Sequence, residues 1–489
     1  MNEDISRTAT KAVKWSFASE AAAKIIIPVT QLVLARILAP EIFGVLAIVV
    51  MITSFAEMLA DAGFQKYLIQ YEFSDKRKLY EAANVAFWSS MFIAILLLAL
   101  IVVLRDNLAS LVGSPELGLP IAIAALSLPI SVFVSTQQAL FRRAFEYKRL
   151  LPIRVVVATI PLVVSVPLAL AGFGYWSLLA GTLAASLYNA VAMTVISEWK
   201  PRWSYSVSLL RRMFSFSGWS LLEAISIWAT IWSGTFVVGT LLTPYELGLY
   251  RQPILVVNSV FALITNATTP VLFAALSRLQ NNMTEYRRFF FSFQYSVAIM
   301  LFPIGVGAFF YRDFFTSLLF GPKWADAALM FGCWAFVTSL GIVFSHYCSE
   351  VFRSLGKPRV SFLSQCLYMC VMIPAIYIAA SESFSALVIV NSAVRFIGMG
   401  ISQLLMYLTA GFGFLQVMKN LYAPLLSALI MGIAAFYLSN FAGGKVLWSA
   451  IGIIVCALIY IGVSLSFPRS RKVIFAFAGK IYKRNNRVS

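Results

Sequence analysis

The chain has 489 residues, of which 60% are apolar and 12% charged, where an ordinary soluble domain is about 25% charged. So few charges cannot cover a soluble globule of this size, which excludes one and points to a polytopic membrane protein. The net charge of +18, from 38 Lys+Arg against 20 Asp+Glu, would suggest nucleic acid in a soluble protein; here it points to anionic lipid headgroups and to membrane orientation.

Apolar runs of spanning length recur with short polar breaks. In chain order the spans are read at 13–38, 42–62, 83–104, 117–138, 154–172, 176–197 and 216–242. They continue at 247–274, 290–311, 326–350, 360–380, 384–409, 421–441 and 446–467. Fourteen helices of about 21 residues leave roughly a dozen for each connection, so no large soluble domain fits. Residues 64–80 and the tail after Pro468, which alternates basic and apolar clusters, read as interfacial segments lying on the lipid surface. The polar start lacks a small-residue cleavage pattern, so the first span is expected to stay as an anchor. The five cysteines all fall in apolar stretches, with no metal-ligand spacing to the single His346, so neither a metal nor another cofactor is expected.

Sorting basic residues by connection gives 30 on one side, both termini included, and five on the other: Arg105, Arg251, Arg312, Lys323 and Lys445. This positive-inside bias sets both termini in the cytoplasm and requires an even number of spans.

The chain also repeats itself weakly at an offset of 204. Trp15-Ser16 matches Trp219-Ser220, Pro40 matches Pro244, and Gly44 matches Gly248. Further on, 110–115 (SLVGSP) resembles 317–322 (SLLFGP). Proline and glycine in register at a turn are more informative than apolar matches. Six spans separate the two starts, so the repeat is parallel. The expected fold is therefore an all-α membrane protein. It has about 14 helices: an N-terminal lobe (1–212), a C-terminal lobe (213–410) pseudo-symmetric with it, and two extra helices with a basic tail (411–489). Two such lobes can rock about a central site in alternating access.

Ionisable residues within spans are costly and tend to face a cavity or a partner. Span 1 carries Glu20 and Lys24 one turn apart, and span 2 carries Glu57 and Asp61 at the same spacing. Span 7 carries Glu223, and span 12 carries Arg395 near its midpoint. Arg36 and Arg251 lie towards outer span ends. Glu20–Lys24 reads either as a self-satisfied pair or as part of a site. Glu57, Asp61, Arg36 and Arg251 can equally snorkel to an interface. His346 and Glu350, one turn apart near the inner end of span 10, read as an interfacial pair, with a pH-sensitive pair as the alternative. The chain has no G-x-x-x-x-G-K-[ST] nucleotide loop and no H-E-x-x-H. Its short outer loops leave little room for a glycosyltransferase site, so a transporter is expected rather than an enzyme.

The opening K-A-V-K-W-S, the turn at 36–47 (RILAPEIFGVLA), 60–64 (ADAGF), 139–150 (ALFRRAFEYKRL), 241–250 (LLTPYELGLY) and 320–328 (FGPKWADAA) together resemble the Wzx-type polysaccharide flippases. These are the polysaccharide-transport branch of the MOP superfamily, with the lipid II flippase MurJ and the MATE exporters as relatives. The resemblance covers nearly the whole chain. It implies translocation of undecaprenyl-diphosphate-linked oligosaccharide from the inner to the outer leaflet of a bacterial cytoplasmic membrane, for surface polysaccharide synthesis. It also implies coupling, in at least some members, to an ion gradient (H+ or Na+) or to the membrane potential, with the polysaccharide polymerase machinery as a further partner. On this reading Lys24, Arg395, Arg36 and Arg251 are candidates for the diphosphate, and Glu20, Glu57, Asp61 and Glu223 for ion coupling. Gln31, Asn189, Asn258, Asn266, Gln294 and Asn391 offer polar contacts to sugars. MurJ relatives line their cavity with arginines from the first two spans; here span 2 offers acids, which argues against lipid II as cargo. The alternative is a MATE-like cation-coupled drug exporter using the same acids; less favoured is a membrane-embedded glycosyltransferase.

Overall fold

A computed structural model describes residues 26–144, 146–442 and 445–485, and the described residues contain helices and connections but no strand. In chain order the first unit begins with α1 (Ile26–Ile37), α2 (Pro40–Asp61), α3 (Phe64–Gln70), α4 (Lys76–Val103), α5 (Arg105–Leu111), α6 (Gly118–Ala124) and α7 (Ser127–Arg143). There follow α8 (Tyr147–Leu170), α9 (Tyr175–Ile196), α10 (Val207–Leu241) and α11 (Pro244–Leu279). The second half holds α12 (Met283–Phe310), α13 (Arg312–Phe320), α14 (Ala328–Gly341), α15 (Tyr347–Ser354), α16 (Pro358–Glu382), α17 (Phe384–Ala410), α18 (Phe414–Ala442), α19 (Val446–Leu465) and α20 (Pro468–Asn485). Thirteen stretches are long and apolar enough to cross a membrane, and α1 is a shorter apolar helix. Together they match the all-α membrane protein of about fourteen spans expected from the sequence. The chain forms two compact units, Met1–Arg251 and Gln252–Ser489.

Within the first unit, two turns carry the proline–glycine repeat. Ala39 is extended and Pro40 opens α2, the first-turn position where proline's missing N–H costs nothing. Thr243 and Glu246 form a capping box before α11: Glu246 Oε2 accepts from the Thr243 N–H at 3.0 Å, and the Glu246 N–H donates to Thr243 Oγ1 at 3.3 Å. The two turns meet backbone to backbone. Where Gly44 would carry a Cβ lie the carbonyl of Pro244 and the backbone nitrogen of Gly248; where Gly248 would carry one lies the carbonyl of Pro40. Only glycine permits this approach, and each Cα–H is placed to face a carbonyl oxygen.

α2 ends on left-handed backbone at Ala62 (φ 48°) and Gly63 (φ 78°), and the chain turns directly into α3. Lys76, at the start of α4, pairs with Glu198 at 2.6 Å; this contact holds the Glu198 carboxyl below its ordinary range.

In the second unit a π-helical segment, Ile342–His346, separates α14 from α15. Side chains of neighbouring helices take up its polar groups. Gln294 donates to the Val343 carbonyl at 3.1 Å and Gln403 to the Phe344 carbonyl at 2.5 Å, while Ser345 and Ser402 are 2.7 Å apart. The tail helix α20 is tied down at its start. Arg469 donates to Asn420 Oδ1 at 2.8 Å and lies over the Tyr295 ring, whose hydroxyl meets Ser470 Oγ at 2.6 Å.

Candidate functional site

The first unit contains an acidic cavity of about 280 Å³. Glu57 and Asp61, one turn apart on α2, open into it together with Ser131, Ser135, Gln138 and Asn189. Ser127 donates to Glu57 Oε1 at 3.1 Å. Asp61 takes hydrogen bonds from the Gln65 side chain and from backbone at Gly63 and Gln65. Lys66 attracts the Asp61 carboxylate electrostatically, and Glu57 forms no ion pair among the described residues. The left-handed Ala62 that follows Asp61 is the only non-glycine residue at positive φ among those described; such backbone strain concentrates at functional sites. A pocket with two carboxylates and a lining of hydroxyls and amides can hold a cation or exchange protons.

Arg251 lies with its guanidinium 4.3 Å from the centre of the Trp232 ring and donates to the Ile231 carbonyl at 3.5 Å. Arg36 is exposed on α1. Glu20 and Lys24 lie outside the described residues, and so does the side chain of Glu223, whose backbone belongs to α10.

In the second unit Arg395 sits eleven residues into α17, about 16 Å along the helix. Its guanidinium carbon is 4.2 Å from the centre of the Trp334 ring. Trp334 is held in turn by donating Nε1–H to Asn258 Oδ1 at 3.0 Å. Arg395 has no carboxylate partner among the described residues, and its buried Nε lacks an acceptor. One turn away, the amide nitrogen of the buried Asn391 is likewise unpartnered. Both arginines rest on tryptophan faces, an attraction of about 0.5–2 kcal/mol.

Several expectations change. His346 and Glu350 do not pair: His346 Nε2 meets Thr269 Oγ1 at 3.1 Å, and the Glu350 carboxylate takes Arg353 at 3.2 Å. The backbone from His346 to Glu350 is helical, so they remain one turn apart; each is taken by another partner, Thr269 on α11 and Arg353 one turn further on. Gln294 is absorbed in bracing the π segment and in a 3.3 Å bond from Asn420, so it is not available to a sugar. Asn258 is occupied as the acceptor for Trp334. The sequence reading missed Trp232 and Trp334 because only the fold brings them to arginines 19 and 61 positions away.

Residues 33–329 match the model of the family described as "Polysaccharide biosynthesis protein". The chain is 25% identical over 321 residues to the succinoglycan biosynthesis transport protein ExoT of Rhizobium meliloti, covering 66% of this chain and 64% of that protein. It is 23% identical to the lipopolysaccharide biosynthesis protein WzxC of Escherichia coli over 60% of each. The match thus spans less than two thirds of either relative. Among solved structures it superposes on the inward closed conformation of the lipid II flippase MurJ with a TM-score of 0.73, at 12% identity over 94% of this chain and 99% of MurJ; the shared element is the fold. With more than half of its length matched by the family model, this chain belongs to the polysaccharide biosynthesis protein family, and its fold is like that of MurJ.

Proposed function

We propose that this protein carries undecaprenyl-diphosphate-linked oligosaccharide from the cytoplasmic to the outer leaflet of a bacterial cytoplasmic membrane, by alternating access, as a transporter and not an enzyme. The observation that carries the reading is Arg395. A cation at mid-membrane costs about 2.5–3.5 kcal/mol, and stacking on Trp334 returns about 0.5–2. The shortfall is of the size that a charge-assisted bond to an anionic headgroup offsets. Asn391 offers its free amide beside it, and Lys24 and Arg36 on the first span would add charge for the diphosphate.

The three-part division at 212 and 410, with both termini in the cytoplasm, is the frame of this reading. Parting the proline–glycine turns would be one step of opening outwards. The Glu57/Asp61 cavity would bind the coupling H+ or Na+, and a polysaccharide polymerase would take up the product. That cavity also favours a second reading, MATE-like export of cations.

Loss of surface polysaccharide with normal protein level is expected for Arg395→Ala and Lys24→Ala, with Lys24→Arg tolerated better than Lys24→Ala. Normal export by both alanine variants overturns this headgroup site. If a deletion strain instead became sensitive to cationic drugs while its polysaccharide stayed normal, the exporter reading would replace the flippase.

A further inference from the structure

Away from these sites, α12, α14 and α18 enclose a cavity of about 570 Å³ with a nearly all-apolar lining, including Phe302, Val306, Phe336, Leu425 and Leu429. Gly432 keeps it open: a Cβ there would come within 3.3 Å of Val306 and Phe310. Along α18 the cavity runs from Leu425 to Tyr437, about 18 Å at helical rise. That is close to half the thickness of a bilayer's hydrocarbon core, about 30 Å in all. At one end it shares Phe309, Phe310 and Phe436 with a second pocket of about 270 Å³, which is polar and lined by Arg312, Asp313, Ser439, Asn440 and Ser449.

The repeat supplies an internal control. The sequence R-D-x-x-x-S-L opens both α5 (105–111) and α13 (312–318). In the first copy Arg105 pairs with Asp106 at 3.5 Å. In the second, Arg312 has no ion pair among the described residues; it lies 5.5 Å from the Phe309 ring centre with its stem against Gly332, and Asp313 is exposed. The same two charges are thus closed on each other in one half and left open over a pocket in the other.

We propose that this groove and its polar end form a site for a resident phospholipid with a phosphoethanolamine headgroup. One acyl chain fills the apolar cavity, the phosphate sits at Arg312, and the ammonium sits at Asp313. The length fits a chain confined to one leaflet; a polyprenyl tail would overrun it. A phosphoglycerol headgroup offers Asp313 only neutral hydroxyls and no ammonium, so the lipid's net negative charge is left unbalanced beside that carboxylate.

The test uses the full chain in detergent, incubated with phosphatidylethanolamine or phosphatidylglycerol of identical acyl chains and then separated from free lipid. Lipid retained per protein is read by mass spectrometry. Phosphatidylethanolamine is expected at about tenfold higher occupancy, the worth of one charge-assisted bond. Arg312→Gln should lower its retention by a similar factor, Asp313→Asn should abolish the preference between the two lipids, and Gly432→Leu should lower retention of both. Equal retention of the two lipids by the wild type overturns the proposal, as does retention unchanged in Arg312→Gln. Displacement by undecaprenyl phosphate at equal concentration also overturns it, giving the groove to a cargo tail. Asp313 is exposed, so Asp313→Asn decides the headgroup claim even if Gly432→Leu fails to fold.

Discussion

At the scale of single residues, Arg395 depends on a support that can be loosened without emptying its place. Trp334→Phe keeps an aromatic face and most of the packing but removes the N–H that Asn258 accepts. A lost hydrogen bond of about 0.5–1.5 kcal/mol should lower export by about two- to tenfold, short of the full loss expected for Arg395→Ala; quantified surface polysaccharide at matched protein level would read the difference. The acids separate from the arginine by their readout. Glu57→Gln and Asp61→Asn should weaken the dependence of transport on a proton or sodium gradient while leaving headgroup binding intact, and transport with unchanged ion dependence would move the coupling elsewhere. The sequence marked Arg395, Glu57 and Asp61 because a charge inside an apolar run is visible by itself. It could not mark Ser127 or Trp334, which are ordinary span residues until folding sets them against a charge, and it gave Asn258 to a sugar where the fold sets it under Trp334. Nor could it foresee that His346 and Glu350 would each take another partner.

At the scale of elements, the proline turns were legible and the π segment was not. Proline and glycine fix backbone geometry locally, so their repetition in register at 40–44 and 244–248 predicted two like turns. A π turn comes from one extra residue in a helix whose sequence remains uniformly apolar. What holds it, Gln294 and Gln403, lies on other helices. Gln294→Leu leaves the Val343 carbonyl without its donor and should cost about 1–3 kcal/mol, read as a lower melting temperature of the purified protein. Gly44→Ala sets a methyl into the Pro244 carbonyl. Overpacking of about 1–3 kcal/mol or more is expected. Because the clash is at a turn contact and not in a helix core, the variant should retain its helix content by circular dichroism while melting earlier.

For the molecule as a whole, the sequence carried the fold class and the approximate spans, because hydropathy and charge asymmetry are summed over hundreds of residues and tolerate local error. The short helices α5 and α13 escaped because they are too brief for a spanning window. Topology is tested with single cysteines in a background lacking the five native ones. Phe173→Cys and Lys445→Cys should react with an impermeant reagent added to whole cells, and Lys148→Cys should not. The reverse pattern would invert the orientation and with it the direction of transport. The reciprocal seat of Gly44 on Pro244 and of Gly248 on Pro40 reaches further than either turn. Like touches like across it, the isologous arrangement by which two copies of one chain dimerise. A single-copy ancestor bearing one such turn would have met its twin through the same surface, and duplication would have joined the partners in one polypeptide. In the present chain the two glycines then share one energetic event: the first added methyl already forces the backbones apart, so Gly44→Ala and Gly248→Ala together should cost clearly less than the sum of the two alone.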